Sequence, residues 1–340
     1  MCFQFSVVFL ILPCIATGLE VTVSNTQPRV DVDGQLMDIH DGNIVQWIPG
    51  GYYYWYGNGY TLCKDTRWGC EGVFALSDCG FRTNHSINLY VSPDLYQWKF
   101  VRNILPAEVR PNGIYYRPKV IYNPQTKQYV LWVNIVEKTI FGIPNFLNAT
   151  YVVATSPTPD GQFTVRNPRV KTLQYGNGGD FALLVDDDDG QGYIAYDAFN
   201  DFHALQIERL APDFLSTLGS IVTSGIITPI NNEAPIFFKR YGWYYLLYGQ
   251  RCCFCRQGSN SHVLVSRSPL GPFIDTGVDS EAHGQESFVI QAMLADNSIQ
   301  FIFVADRWVS DHDKYMAHDL QFWAPLVSDD SQNPPLPQLD

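Results

Sequence analysis

The stretch GGDFALLVDDDDGQGYIAYD, residues 178–197, contains two short apolar segments separated by a turn of four aspartates and a glycine. Apolar and aromatic residues on both sides of an Asp-Gly turn are typical of a β-hairpin. The same arrangement occurs five times along the chain, and the second segment of each pair is rich in aromatic residues. The other four copies are DGNIVQWIPGGYYYWYG (41–57), RPKVIYNPQTKQYVLWVN (117–134), EAPIFFKRYGWYYLLYG (233–249) and QESFVIQAMLADNSIQFIFVADRW (285–308).

The hairpins recur at intervals of roughly 50 to 75 residues, and further strand-like segments follow them. Such a repeat is typical of a propeller blade. The sequence therefore predicts an all-β protein folded as a five-bladed β-propeller. The first strand of every blade borders a central funnel, and we expect these strands to start near residues 41, 117, 180, 233 and 286.

The chain begins with the apolar run MCFQFSVVFLILPCIATG, residues 1–18, which ends in small residues. This pattern predicts a secretory signal peptide, and an uncleaved N-terminal anchor is the alternative. Glycosylation sequons at Asn84 and Asn148 agree with a secreted, extracellular protein. We expect one propeller domain over residues 19–330 and a disordered tail, rich in Pro and Gln, over residues 331–340.

The formal net charge of −12 argues against nucleic acid as a partner, because the phosphates would be repelled. The six cysteines beyond residue 18 form two clusters, which are Cys63, Cys70, Cys79 and Cys252, Cys253, Cys255. In an oxidising compartment disulfides are expected, and a zinc site is disfavoured because no His lies at ligand spacing. Since each cluster has an odd number of cysteines, either a bridge joins the clusters or each keeps a free thiol. We expect the bridge.

Three carboxylates stand at the predicted strand starts of three different blades, and they are Asp41, Asp180 and Glu233. Such a set indicates glycosidase chemistry. An inverting hydrolase needs a protonated carboxyl at the leaving oxygen and an ionised carboxylate that activates water, about 6.5–9.5 Å apart. A third anion raises the pKa of the acid toward the working pH. Structural roles are the alternatives, since Asp41 could form an Asx-turn before Gly42 and Asp180 could cap a turn.

The five quoted stretches resemble glycoside hydrolase family 43, and within it the branch of exo-β-1,3-galactanases. They occur in the order of that family, one to a blade, over residues 39–308. The resemblance implies a five-bladed propeller with a base Asp on blade 1, an Asp that orients and tunes the acid on blade 3, and an acid Glu on blade 4. In this sequence those positions are Asp41, Asp180 and Glu233.

The chain also departs from the galactanase branch. That branch commonly has Gly in place of the blade 1 Asp and is thought to use a blade 5 Gln as base. Gln285 matches that Gln, so this sequence carries both candidates for the base. Asn58 and Tyr116 stand where the branch has glutamates that contact the sugar. The resemblance implies substrate contacts for Gln285, Asn58, Tyr116, Arg117 and Arg307.

We expect neither a metal ion nor another cofactor. Some family 43 members hold calcium in the channel through a blade 5 His, and Gln285 stands near that position, so calcium is compatible with the resemblance. The aspartates at 186–189 look like a calcium loop, but a hairpin turn is the preferred interpretation.

Together these features predict a secreted, inverting glycoside hydrolase that acts on a plant-type or microbe-type polysaccharide, either β-galactan-like or arabinan/xylan-like. We expect an oligo- or polysaccharide as its partner, no membrane after signal cleavage, and a monomer. The alternative is a propeller that has lost turnover and binds glycans. A non-enzymatic scaffold is disfavoured, because it gives no reason for three acids at three strand starts.

Overall fold

The computed structural model describes residues 22–64, 79–172, 177–199, 202–251, 254–294, 296–328 and 334–339. The predicted signal peptide lies outside these ranges, as do Cys70, Cys252 and Cys253. The described chain consists mainly of β-strands, with short 3₁₀ turns between some of them. Within these ranges, no helix has the length and apolar character needed to span a membrane.

Three sheets each contain four antiparallel strands in sequence order. The first comprises β1 (His40–Gln46), β2 (Tyr53–Gly59), β3 (Ser86–Ser92) and β4 (Lys99–Asn103). The second comprises β5 (Ile114–Asn123), β6 (Gln128–Val136), β7 (Thr150–Ser156) and β8 (Thr164–Val170). The third comprises β9 (Gly178–Val185), β10 (Gly192–Ala198), β11 (Ala204–Arg209) and β12 (Thr223–Ile226).

The remaining strands form one sheet of seven. It comprises β13 (Asn232–Arg240), β14 (Trp243–Gln250), β15 (Ser259–Ser266), β16 (Ile274–Met293), β17 (Ile299–Arg307), β18 (Leu320–Ser328) and β19 (Pro337–Leu339). The described residues therefore form four hydrogen-bonded sheets, where the sequence predicted five separate blades. The reason is β16, a strand of 20 residues whose first part pairs with β15 and whose second part, from Gln285, pairs with β17.

The first strand of each predicted hairpin lies in a ring around a central channel. Contacts join β1 to β5, β5 to β9, β9 to β13, β13 to β16, and β16 back to β1. Sheets arranged around a channel with their inner strands in contact form a β-propeller. The all-β propeller predicted from the sequence is confirmed.

Aromatic side chains fill the space between neighbouring sheets. Where the last sheet meets the first, the ring of Trp55 lies 5.2 Å from that of Trp98, 5.6 Å from Trp323 and 6.5 Å from Phe288. Each such side chain buries roughly 150–250 Å², which stabilises the fold by about 4–6 kcal/mol at ~25 cal/mol per Å². Side-chain packing thus closes the ring between two sheets that share no strand.

Residues 22–36 cover this same joint. The side chain of Asn25 donates to the carbonyl of Trp323 and accepts from its N–H, both at 2.9 Å. The guanidinium of Arg29 lies 4.2 Å from the centre of the Trp323 ring. The N–H of Val32 donates to the carbonyl of Trp98, in the first sheet. The N-terminal segment therefore connects the last sheet to the first, a point that the sequence left open.

Each inner strand has one extra residue near its predicted start. In β1, three residue steps from His40 to Asn43 match two steps of β2. The same one-residue shift occurs in β5, β9, β13 and β16. The backbone is left-handed there, with φ of 60° at Asp41, 51° at Arg117 and 56° at Ala234. Because a β-bulge changes the direction of nearby side chains, these shifts turn polar groups toward the channel mouth.

One disulfide, Cys63–Cys79, stands in the loop after β2. Cys255 is also disulfide-bonded, and its partner lies outside the described residues. The bridge expected between the two cysteine clusters therefore stays a prediction.

The prediction of a disordered tail is wrong for residues 337–339, which pair with β18 as β19. Proline removes a backbone donor, but it tolerates the edge of a sheet. Pro335 and Pro337 are buried, and the hydroxyl of Tyr245 donates to the carbonyl of Pro335 at 2.7 Å. Apolar burial and this hydrogen bond order a segment whose composition is typical of disorder.

The aspartates of the β9–β10 turn are tied to the neighbouring sheet by Lys239. Its Nζ lies 2.6 Å from Asp186, 2.8 Å from Asp187 and 2.7 Å from Asp188. The hydroxyl of Tyr244 also donates to Asp186. Burial alone would raise the pKa of Asp186, but the hydrogen bonds from Lys239 and Tyr244 outweigh it and lower that pKa. The turn thus binds an ammonium group of the protein itself, in agreement with the hairpin interpretation.

Lys239→Met is expected to lower the free energy of unfolding by about 1–3 kcal/mol at neutral pH, because Asp186 loses a charged hydrogen-bond partner. The lowered pKa of Asp186 means that this stabilisation is present above the ordinary carboxyl pKa and is lost as the pH falls through the folded-state value. Thermal unfolding at about pH 7 and about pH 3 measures both parts. Lys99→Met, on the exposed strand β4, is the control. Equal losses for the two variants would contradict the role given to Lys239.

Candidate active site

One end of the channel opens into a cavity of about 400 Å³. Six of the eight predicted site residues line it, and they are Asp41, Tyr116, Arg117, Asp180, Glu233 and Gln285. They come from all five inner strands, so the predicted convergence of strand starts is seen. A second cavity of about 490 Å³, at the other end of these strands, is lined by none of the predicted site residues.

Asn58 and Arg307 do not line this cavity, and the substrate contacts predicted for them are not supported. Asn58 is fully buried, and its side-chain amide donates to the carbonyl of Tyr115 at 2.9 Å. The guanidinium of Arg307 donates to the carbonyl of Asn25 at 2.8 Å. The physical reason is the same for both residues. They stand on β2 and β17, which are second strands and lie one layer away from the channel.

Arg117 places a buried cation among the acids of the cavity. The residue is 2% exposed, and its Nε lies 2.9 Å from Oδ1 of Asp180. A second nitrogen donates to the carbonyl of Glu286 at 2.7 Å. Burial alone would lower the pKa of Arg117, but the carboxylates of Asp180 and Asp41 outweigh burial and raise it. The guanidinium therefore stays charged and balances two carboxylates.

Asp41 is held from two sides in the cavity wall. Its Oδ2 accepts a hydrogen bond from the hydroxyl of Tyr60 at 2.8 Å, and its backbone N–H donates to Asp306 at 3.0 Å. Burial raises the pKa of Asp41 to about 6; Arg117 opposes this shift, and Asp306 and Asp180 add to it. A carboxyl with this pKa can accept a proton from water at a pH near neutral.

His40 stabilises the position of Asp41 indirectly, through Asp306. Its Nδ1 lies 3.1 Å from Oδ1 of Asp306, and both side chains are buried. Burial alone would lower the pKa of His40, but the hydrogen bond and the charge of Asp306 raise it to about 9. The raised pKa favours the imidazolium form of His40, which keeps Asp306 in place as acceptor for the backbone N–H of Asp41. The residue after Asp41 must be a glycine, because a Cβ at Gly42 would lie 1.5 Å from the carbonyl oxygen of Tyr56.

Glu233 is oriented by a chain of two hydrogen bonds. The indole N–H of Trp308 donates to Oε1 of Gln285 at 2.8 Å. The Nε2 of Gln285 then donates to Oε1 of Glu233 at 2.9 Å. Trp308 is a donor only, so it fixes which end of the Gln285 amide faces Glu233. Because Oε1 of Glu233 accepts this bond, the proton of a protonated Glu233 belongs on Oε2.

Two ionisable residues that the sequence did not single out also line the cavity. They are Asp197 and His203, with Nδ1 of His203 2.7 Å from Oδ2 of Asp197. Asp197 is the last residue of the quoted stretch GYIAYD, at the end of a second strand that faces the channel mouth. This position could have predicted its place in the site. His203 follows β10 in a loop without a motif, and no pattern in the sequence indicated it. Asn134 and Arg251 complete the polar part of the wall.

The rest of the cavity wall is apolar, and its side chains are Phe81, Phe146, Leu147, Phe199 and Phe254. Tyr116 belongs with them, because its hydroxyl donates to the carbonyl of Gly80 at 2.8 Å and its ring lies 6.0 Å from that of Phe254. Apolar walls with a few convergent polar groups are common in small-molecule sites.

The calcium ion that the resemblance allows does not suit the channel of this chain. The Nζ of Lys119 donates to the carbonyls of Gly42 at 2.8 Å and Ser287 at 2.9 Å. Arg117 takes a further carbonyl, that of Glu286. Basic side chains thus bind backbone oxygens that a hard cation would need.

A comparison with protein-family models matches residues 40–286 to the glycosyl hydrolases family 43. The chain belongs to this family. This match confirms the family that the sequence resembles. A comparison with curated proteins finds no match.

Among solved structures, the fold is similar to enzymes that act on β-1,3-galactosides. An exo-β-1,3-galactanase from Clostridium thermocellum is 24% identical with a TM-score of 0.71, over 90% of this chain and 62% of that one. A galactanase from Phanerochaete chrysosporium, solved with β-1,3-galactotriose, is 19% identical with a TM-score of 0.72, over 94% and 66%. A family 43 β-1,3-galactosidase with galactodeoxynojirimycin is 24% identical with a TM-score of 0.71, over 93% and 98%. The chain thus spans about 62% and 66% of the two galactanases.

Arg117→Met is expected to lower the free energy of unfolding by about 3–5 kcal/mol, the usual effect of removing one partner of a buried ion pair. Arg117 opposes the raised pKa of Asp41, so without the guanidinium Asp41 binds its proton still more tightly in the folded state than in the unfolded state, and the loss grows as the pH rises. Chemical denaturation at about pH 5 and about pH 8 measures this dependence.

The matched control is Arg307→Met, which removes an arginine outside the cavity. It is expected to change stability little and equally at the two pH values. If the two variants behave alike, Arg117 does not balance the carboxylates of the cavity.

Proposed function

We propose that the chain is an inverting exo-glycosidase that removes terminal sugars from a galactan-type polysaccharide. The observation that carries this proposal is that one cavity contains both Glu233 and Asp41. They belong to β13 and β1, which are not neighbours in the ring of inner strands. A sugar bound between these strands has one carboxyl on each side. In inverting enzymes the two carboxyls stand about 6.5–9.5 Å apart, because a water molecule must fit beside the base.

Glu233 is the general acid in this proposal. Its Oε2 gives a proton to the glycosidic oxygen while the bond between that oxygen and the anomeric carbon breaks. Gln285 keeps Oε1 engaged and so determines which oxygen faces the substrate. Asp180, fixed by Arg117, supplies the neighbouring anion that favours the protonated form of Glu233.

Asp41 is the general base. Its Oδ2 accepts from Tyr60, so Oδ1 receives the proton of the attacking water as the water oxygen bonds to the anomeric carbon. The pKa of about 6 means that Asp41 is mainly ionised above that pH. Gln285 is the weaker candidate for the base, because its Oε1 accepts from Trp308 and its Nε2 donates to Glu233.

A galactan-type substrate is supported by the structural neighbours, which are named as β-1,3-galactanases and β-1,3-galactosidases. The apolar wall suits the C–H faces of a pyranose ring. Action at a chain end is supported by the closed inner end of the site, since Arg117 in the cavity wall and Lys119 farther along the channel are both buried.

We further propose that the sheet of seven strands counts as two blades, which gives five. The backbone of β16 is left-handed at His283, with φ of 52°, just before its pairing changes from β15 to β17.

Export of the protein is supported by the apolar segment 1–18 and by the exposed sequon at Asn84.

Release of monosaccharide from β-1,3-galactan, with arabinan and xylan for comparison, tests the proposed function. Glu233→Gln and Asp41→Asn are each expected to lower kcat by about 10²–10⁴, the usual contribution of a positioned proton donor or acceptor. With a dinitrophenyl galactoside, whose leaving group needs no proton, the loss in Glu233→Gln should shrink while the loss in Asp41→Asn remains.

Glu137→Gln is the control, because Glu137 pairs with Arg169 outside the cavity. If Asp41→Asn keeps its activity and Gln285→Ala loses it, the base is Gln285. If the wild type binds galactan and releases no sugar, the chain is a glycan-binding propeller and the proposal is wrong.

A further inference from the structure

His203 is held by a buried carboxylate at the wall of the catalytic cavity. Its Nδ1 lies 2.7 Å from Oδ2 of Asp197, with side-chain exposures of 16% for His203 and 1% for Asp197. Asp197 fits there only because residue 179 is a glycine, since a Cβ at Gly179 would lie 2.0 Å from Oδ1 of Asp197. The pair is therefore built into the sheet and is more than a surface contact.

The backbone of His203 is tied to the strand that carries Glu233. Its carbonyl accepts from the N–H of Asn232 at 2.9 Å, and its own N–H donates to the carbonyl of Ala198 at 3.0 Å. Its φ is 62°, in the left-handed region, and the ring of Phe199 packs 4.8 Å from the imidazole. Asn232 directly precedes Glu233, so the two side chains are held in a fixed relation.

Asp197, His203 and Glu233 form a cluster in which a ring nitrogen and two carboxylate oxygens all lie within 4.8 Å of one another. Burial alone would lower the pKa of His203, but Asp197 and then Glu233 outweigh it and raise that pKa, while Arg251 opposes them. Burial raises the pKa of Asp197 to about 6; His203 opposes this shift, and Asp180 adds to it. The surroundings of His203 thus favour its protonated form.

Resting on the proposed function, we propose that His203, fixed by Asp197, is a positioning residue for the acid Glu233. Its imidazolium ion lies beside the Glu233 carboxyl and strengthens that carboxyl as a proton donor to the leaving oxygen. Burial and the negative charges of Asp180 and Asp197 act in the opposite direction, because all three favour the protonated carboxyl of Glu233. His203 keeps the acid from binding its proton too tightly to release it.

This role has a consequence that depends on the leaving group. A sugar hydroxyl is a poor leaving group and needs a proton in the transition state, whereas dinitrophenolate does not. Since acid catalysis follows the strength of the acid, weakening Glu233 slows hydrolysis of a galacto-oligosaccharide and has little effect on a dinitrophenyl galactoside. A purely structural role of His203 would slow both reactions alike.

The test is the pH profile of kcat/KM for His203→Gln and Asp197→Asn. An opposite charge within about 4–6 Å lowers a carboxyl pKa by about one unit or more. The alkaline limb should therefore move upward by about one pH unit in His203→Gln, and by less in Asp197→Asn, because that change also removes a negative charge within 4.8 Å of Glu233. Hydrolysis of the oligosaccharide should fall about tenfold, and that of the dinitrophenyl galactoside about threefold or less. His262→Gln is the control, because His262 pairs with Asp279 outside the cavity.

A second measurement needs no turnover. The imidazole C–H signal of His203, followed by NMR against pH in the wild type, should show a pKa that falls in Glu233→Gln, because the neighbouring negative charge is removed. An alkaline limb that stays in place, with equal losses on both substrates, would overturn the proposal. So would an NMR titration that is unchanged in Glu233→Gln. If the wild type releases no sugar while the NMR coupling is present, the proposed function fails and the coupling of His203 to Glu233 stands.

Discussion

The end of the channel that holds the proposed active site depends on one buried cation, the guanidinium of Arg117. Carboxylates at the convergence of five inner strands would repel one another in a medium that solvates charge poorly. Arg117 is 2% exposed and contacts Asp180 directly. The carboxylates of Asp180 and Asp41 raise the pKa of Arg117, so its side chain stays charged. By binding the carbonyl of Glu286 it also joins β5 to β16. One side chain thus balances the charge of the site and links its strands.

The backbone of the inner strands carries a second constraint. The left-handed conformations at Asp41, Arg117 and Ala234 are unfavourable for residues with a Cβ, by about 1–2 kcal/mol each. They persist because the surrounding structure fixes them, and such positions are concentrated at functional sites. Aromatic packing between the sheets, as around Trp55, supplies the stabilisation that offsets this strain. The backbone strain at the channel mouth is therefore tolerated because packing between the sheets stabilises the fold.

Sequence patterns located the parts of the site that lie on the first strands of hairpins. Asp41, Asp180 and Glu233 could be read as one set because each precedes an apolar run, and the fold turns all such positions to one cavity. Asn58 and Arg307 were predicted to contact the substrate because they match positions in the family's sequence pattern. That pattern does not show how far a second strand lies from the channel. The place of His203 in the site could not be predicted from the sequence, because a loop and a left-handed backbone bring it close to Glu233. The continuity of β16 was hidden by the glycines and acidic residues of the segment 274–284, which resemble a loop.

In the proposed mechanism, water attacks from the side of Asp41, opposite Glu233, and this direction determines which anomer leaves the enzyme first. Proton NMR during the first turnovers on a β-galactoside, before the sugar equilibrates in water, observes this directly. We expect the α-anomer of galactose to appear first and the β-anomer to follow by mutarotation. Initial release of the β-anomer would mean retention of configuration, and it would contradict the placement of acid and base on opposite sides of the sugar.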